Sequence, residues 1–244
     1  MGSKINSSFI DFKGIHADKS AVILATGPSL DKFSLDLLPE KDGELVTLGV
    51  TMGAYHPTLK FDYYFCGHAY GGLSGGGKIA DREKKLGASL MDKVLELKSS
   101  KRIKHVFCCT KIQGKHHPAH FSADDSNKMG AIQFEQHHQS GAGQFHVKIH
   151  DNPVYGHNII YSPLQFALYA GCKKVYIVGC DGPGTMSSFL DNERAYPVNK
   201  EHFFQHWKFF RKFVRSKYPD VRIVNVNPLA LKGFFDEDIF ADNQ

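Results

Sequence analysis

The sequence predicts an α/β fold, a single doubly wound and mainly parallel sheet, on three observations. Short apolar, partly β-branched runs recur at 21–25, 45–50, 63–66, 105–110, 175–179 and 221–226, and such near-continuous runs suit strands buried on both faces. Amphipathic segments lie among them, at 79–97 and 201–218. Several runs end in Gly, Ser, Thr, His or Asp, where open α/β sheets gather ligand-binding groups. With 244 residues, 42% hydrophobic and 23% charged, the chain has the size of one domain with a sizeable core.

Taken in order, residues 1–19 are polar with isolated Phe9, Ile10 and Phe12, and read as a lead-in packed at an edge. The first strand, 21–25, is followed by a helical or loop crossover carrying Leu35, Leu37 and Leu38. Strands two and three, at 45–50 and 63–66, end in Thr51-Met52-Gly53 and Gly67-His68. The segment 69–77 holds five glycines in nine residues and reads as a mobile loop. Leu86, Leu90, Val94 and Leu97 put an apolar face on a helix over 79–97. After strand four, at 105–110, the pattern is lost over 111–150, which reads as an irregular, His-rich insertion or lid. A helix over 159–170 stops at Gly171, a usual left-handed end. Strand 175–179 leads to Cys180-Asp181-Gly182, an aromatic helix covers 201–218, and a last strand, 221–226, closes at Asn227-Pro228.

The net charge of +5 permits an anionic small ligand and argues only weakly for nucleic acid, because the basic residues are scattered. Cys66, Cys108, Cys109, Cys172 and Cys180 form no C-x-x-C pair and read as reduced core thiols. No apolar run is long enough for a transmembrane segment and the first residues lack a signal-peptide core, so a cytoplasmic protein is expected.

Two strand ends carry the chemistry. Val22 to Ala25 runs into Thr26-Gly27-Pro28-Ser29: Gly27 allows close backbone approach, Pro28 suits a first helical position, and Ser29 can cap the helix or donate to a phosphate. Asp181, at the end of the later strand, is placed for a ribose hydroxyl, a metal-phosphate or an acceptor hydroxyl. In the insertion, His116 and His120 have the i, i+4 spacing a zinc site uses, but Pro118 lies between them and no further ligand keeps a regular spacing. No metal site is therefore assigned.

With these residues in view, the chain resembles nucleotide-using Rossmann-like proteins that open with a strand and Gly-Pro-Ser-Leu. They include the family 42 bacterial sialyltransferases, the motility-associated factor glycosyltransferases and the archaeal 6-hydroxymethylpterin diphosphokinases. The likeness covers the first thirty residues and most of 155–232. It implies a nucleotide site at Thr26, Gly27, Pro28 and Ser29, with Thr26 where the sialyltransferases carry Asn. The block Ala167, Gly171, Lys173, Tyr176, Gly179 and Asp181, followed by Ser187-Ser188-Phe189, is similar as well. The resemblance implies a general base at His202, with His206 as the alternative one turn on. Two phosphate-holding tyrosines of the sialyltransferases are replaced by Pro183 and Phe189, and a Thr-Ser-Gly by Asn158-Ile159-Ile160, where His157, Asn158 and Ser162 offer donors.

The function these residues imply is a metal-independent, sialyltransferase-like glycosyltransferase. No cofactor is expected to be tightly bound; the expected donor is a nucleotide-sugar, a CMP-sugar first, and the acceptor a glycan or small molecule. His202 and Asp181 are the catalytic candidates. Thr26, Gly27, Pro28, Ser29, Asn158, Gly182 and Ser188 are the nucleotide-binding ones, with Arg194 as a further phosphate contact. The alternatives are an ATP- and magnesium-dependent diphosphokinase, with Asp181 and Asp62 on the metal, and a non-catalytic nucleotide- or sugar-phosphate-binding protein.

Overall fold

A computed structural model describes residues 7–40, 43–67, 90–115, 121–137, 145–156, 158–182 and 200–240. Nine strands form one sheet: β1 (Ser20–Leu24), β2 (Leu45–Val50), β3 (Phe61–Cys66), β4 (Ile103–Ile112), β5 (Ile132–His137), β6 (Val154–Tyr155), β7 (Lys174–Val178), β8 (Arg222–Val226) and β9 (Glu237–Ile239). Their order is β6-β5-β4-β3-β2-β1-β7-β8-β9, and every neighbouring pair is parallel. The chain thus builds outward from β1 to one edge, then returns to the other side of β1. The order reverses between β1 and β7, and the crevice beyond their carboxyl ends is the expected ligand position in such a sheet.

Alternation along the strands feeds two cores. Ala21 and Ile23 of β1 face one layer, where α3 (Tyr161–Tyr169) and α4 (Lys200–Lys217) contribute Leu164, Phe166, Trp207 and Phe210. Val22 and Leu24 face the other, with Leu90, Val94 and Leu97 of α1 (residues 90–99). The expected helical face over 79–97 is thus present from Leu90 onward; 79–89 and the glycine-rich 69–77 lie outside the described residues. Helix α3 is buried at all nine positions and is followed by Gly171 at φ +92°, as its sequence implies. The crossover after β1 consists of two short 3₁₀ turns, Pro28–Lys32 and Leu35–Leu37.

Two expectations are corrected. The N-terminal segment is core: a 3₁₀ turn over Ser7–Phe12 seats Phe9 on Phe107, ring centroids 5.1 Å apart, and Phe12 on Phe166 at 5.6 Å. Burying one such ring contributes about 1.5–3 kcal/mol, enough to order a segment whose remaining residues are polar. The stretch 111–150 is also less irregular than its sequence suggests. It carries the end of β4, the short helix α2 (Ala123–Lys128) with a Ser122/Asp125 capping box, and β5 within the sheet. His116, His117, His120 and His138 lie outside the described residues.

The five cysteines are free. Burial pushes the thiols of Cys108 and Cys172 up to about 12, as for inert core residues. Among the described residues, no helix is long and apolar enough to cross a membrane.

Candidate functional site

The two strand-end motifs meet at the reversal point. The chain leaving β1 runs alongside β7: Ala25 N–H donates to Val178 O at 2.8 Å and Gly27 N–H to Gly179 O at 2.7 Å. Ser29 locks the two loops together. Its N–H donates to Asp181 Oδ2 at 2.7 Å, and its Oγ accepts the Gly179 N–H at 3.1 Å. A side chain at Gly27 has no room, because a Cβ there would lie 2.4 Å from Asp181 Oδ2 and 2.6 Å from Gly179 O. Gly179 also sits at φ +71°, a conformation glycine adopts without cost.

Asp181 is 3% exposed, and its second carboxylate oxygen, Oδ1, is buried without a hydrogen-bond partner among the described residues. Burial raises its pKa above the ordinary carboxylate range; the Ser29 N–H and hydroxyl offset this in part, and Asp31 adds a smaller push upward. An underbonded carboxylate oxygen inside a protein is costly.

The nucleotide candidates divide accordingly. Ser29 is committed to the brace between the loops and offers no N–H to a phosphate. Pro28 occupies the first position of the 3₁₀ turn, as expected. Thr26 is half-buried at the end of β1. Asn158 is exposed before α3, where its Oδ1 accepts the Ile160 N–H at 3.2 Å. Gly182, at φ +85°, lies under the Phe203 ring, which brings the start of α4 against the loop after β7. Ser188, with Ser187, Pro183, Phe189 and Arg194, lies outside the described residues, as does His157.

Helix α4 supplies the base candidates. His202 and His206 are one turn apart and so share a face, with Nε2 atoms 2.9 Å from each other. His206 is 2% exposed, and its Nδ1 is hydrogen-bonded to the Tyr155 hydroxyl from β6. Trp207 beside them packs on Tyr161 of α3 at 5.0 Å between ring centroids. The sequence offered His202 and His206 as alternatives, but the structure makes them one hydrogen-bonded unit. Tyr155 was missed: it lies in a two-residue strand, and its contact with His206 spans 51 positions of sequence.

The metal alternative loses its second ligand. Asp62 is near the start of β3, three strands from β7, and is bonded by the Thr47 N–H at 2.9 Å, the Thr47 hydroxyl at 3.0 Å and Lys104 Nζ at 2.5 Å. At about 4.8 Å per strand it is displaced laterally by roughly 14 Å, at the amino end of a parallel sheet, while Asp181 is at the carboxyl end. The two carboxylates cannot share an ion. Among the described residues, no group of three or more His, Cys, Asp or Glu side chains is placed to hold a metal.

No protein-family model matches the sequence, and no curated protein is significantly similar to it. Among solved structures, the chain is similar to the Campylobacter jejuni sialyltransferase CstII in complex with cytidine-5'-monophosphate. The identity is 13% over 86% of this chain and 80% of that one, with a TM-score of 0.45. It is similar to an alpha-2,3-sialyltransferase of the same organism, at 17% identity over 85% and 75% of the two chains, TM-score 0.44. A third similarity is to the MAf glycosyltransferase of Magnetospirillum magneticum AMB-1, at 8% identity over 91% of this chain but 35% of that one, TM-score 0.47. At these identities, what the site does rests on its own residues.

Proposed function

We propose that this chain is a glycosyltransferase whose donor is a nucleotide-sugar, a CMP-sugar first, and whose chemistry proceeds without a metal. One observation carries the reading: the buried, underbonded Asp181 Oδ1 stands at the reversal of strand order, between two loops joined through Gly27 and Ser29. An acceptor atom buried there suits a hydroxyl donor such as a nucleotide ribose. The Gly-Pro-Ser and Gly-x-Asp motifs, with the sialyltransferase resemblance they carry, supply the nucleotide-sugar.

In this reading the Thr26 hydroxyl and Asn158 carboxamide offer hydrogen bonds to the donor phosphate. His202 is the general base: it removes the proton of the acceptor hydroxyl as that oxygen bonds to the anomeric carbon. The bond from that carbon to the phosphate oxygen breaks, and its electron pair leaves on the nucleotide.

Thermal unfolding with CMP, CDP, UDP, GDP and ATP, each with magnesium and with EDTA, tests the proposal. A ligand at a hundred times its dissociation constant stabilises by about 2.7 kcal/mol. The expected result is stabilisation by CMP or CDP that survives EDTA. A response only to ATP with magnesium would replace the transferase by a kinase-type reaction, and no response to any nucleotide would reject the nucleotide site.

A further inference from the structure

The later half of α4 gathers positive charge that its own sequence does not balance. From 208 to 217 the helix carries Lys208, Arg211, Lys212, Arg215 and Lys217, and no Asp or Glu. The first four recur at i, i+3, i+4 and i+7, so they share one flank and repel one another. With Ser216 they line a groove of about 500 Å³. Among the described residues, none of the four forms a salt bridge. A helix face that is merely solvated ordinarily carries both signs. The helix dipole favours cations in the last turn, and Lys208, Arg211 and Lys212 stand before it.

The acids of the adjoining segment are engaged elsewhere. Asp236 accepts the Ile223 N–H, Asp238 accepts the Gly233 N–H and the Asn225 amide, and Glu237 pairs with Arg222. What that segment presents outward is apolar. The Arg211 guanidinium lies over the Phe234 ring at 5.4 Å and Lys232 Nζ over Phe240 at 5.3 Å, which links α4 to the turn after β8 and to the end of β9. There Leu229 is 58% exposed and Phe240 51%.

We propose that this flank, α4 from Lys208 to Arg215 with the adjoining 229–240, is a docking surface for an anionic membrane. The cations meet lipid headgroups, and Leu229 and Phe240 enter the interfacial layer. The described residues that line the groove all belong to one helix, so they do not enclose a small anion; a plane of headgroups meets them together. One exposed apolar side chain is ordinary. Two beside an unbalanced cationic flank form the combination by which proteins lie on bilayers. A nucleic acid would use the same cations, but its phosphate backbone gives Leu229 nothing to bury against. This docking is independent of the nucleotide site and of the transferase reading.

Cosedimentation of the full chain with phosphatidylcholine vesicles, with and without phosphatidylglycerol, tests the proposal. The expected result is binding to the phosphatidylglycerol vesicles alone, weakened by added salt. Each of Lys208→Gln, Lys212→Gln and Arg215→Gln lowers the partition coefficient by about fivefold, and the three together by about a hundredfold. Phe240→Ser lowers it by about tenfold and leaves its salt dependence unchanged, since that variant removes apolar contact and no charge. Cooperative melts of the variants confirm that they fold. Absence of binding to anionic vesicles, or binding indifferent to the triple variant, overturns the docking surface. Displacement of the vesicles by a duplex oligonucleotide, with Phe240→Ser binding as tightly as wild type, overturns the membrane and assigns the flank to nucleic acid.

Discussion

Two aspartates at opposite ends of the same sheet show how much context decides. Asp62, near the start of β3, has donors on both oxygens: Thr47 N–H and hydroxyl on one, Lys104 on the other. Burial pushes its pKa up, but Lys104 and Thr47 outweigh that push and hold it below its ordinary value. Asp181, beyond β7, is more deeply buried, is bonded through Ser29 alone among the described residues, and is shifted the other way. One carboxylate has donors on both oxygens; the other has one oxygen without a partner among the described residues. Each end of the sheet holds a buried carboxylate oxygen without a partner among the described residues, Glu40 Oε2 near the starts of β1 and β7 and Asp181 Oδ1 beyond their ends, and it is the latter that stands where an open α/β sheet binds ligands.

Substitutions sharpen the contrast, the largest expected effect first. Gly27→Ala forces a methyl group against Asp181 and the Gly179 carbonyl and separates the two loops. It is expected to destabilise by about 3 kcal/mol in denaturant unfolding; retention of wild-type stability would mean the loops are not joined as described. Asp62→Asn removes the charge-assisted bond to Lys104, itself largely exposed, and is expected to cost about 1 kcal/mol by the same measurement.

Asp181→Asn behaves differently. It withdraws a buried charge while keeping an acceptor for the Ser29 N–H, so stability at neutral pH stays within about 0.5 kcal/mol of wild type or rises. Its larger effect is loss of nucleotide-induced stabilisation. Equal destabilisation by the two Asn variants would erase the distinction between the ends of the sheet.

The same pair predicts opposite pH dependence. A carboxylate lowered by folding contributes stability that is present above its unfolded pKa and is lost as the pH falls through the folded value, so Asp62 helps until strongly acidic conditions. For Asp181 the folded state binds its proton more tightly than the unfolded chain. Stability therefore falls as the pH rises from the ordinary carboxylate value to the raised one. Asp181→Asn should flatten the stability curve over that interval, while Asp62→Asn should flatten it below the ordinary value. Urea midpoints measured across mildly and strongly acidic pH check both.

Legibility in the sequence followed apolar content. β1, β2, β7 and β8 are near-continuous apolar runs and were readable to within a residue or two. β5, Ile-Gln-Phe-Glu-Gln-His, is mostly polar by composition and becomes a strand because β4 offers it a ladder. β6 and β9, two and three residues long, carry no local signal at all. The N-terminal Phe9 and Phe12 looked stray because their partners, Phe107 and Phe166, are about a hundred residues or more away.

At the site, Gly27 and Asp181 were recognisable because a glycine and an acid at strand ends have definite physical uses. That Ser29 would bond Asp181 across 152 positions, in place of a phosphate, was not. Sequence spacing revealed that His202 and His206 share a helical face, but not that Tyr155 completes them, since that depends on the packing of β6 against α4.

The central claim is that the nucleotide sits beyond the carboxyl ends of β1 and β7. Backbone amide chemical-shift mapping with CMP in EDTA tests it most directly. The expected result is a set of perturbed amides at Thr26 to Ser29 excluding Pro28, at Asn158 and at Gly179 to Gly182, with Thr47, Asp62 and Lys104 unmoved. Shifts centred on Thr47, Asp62 and Lys104, or none at saturating CMP, would contradict it.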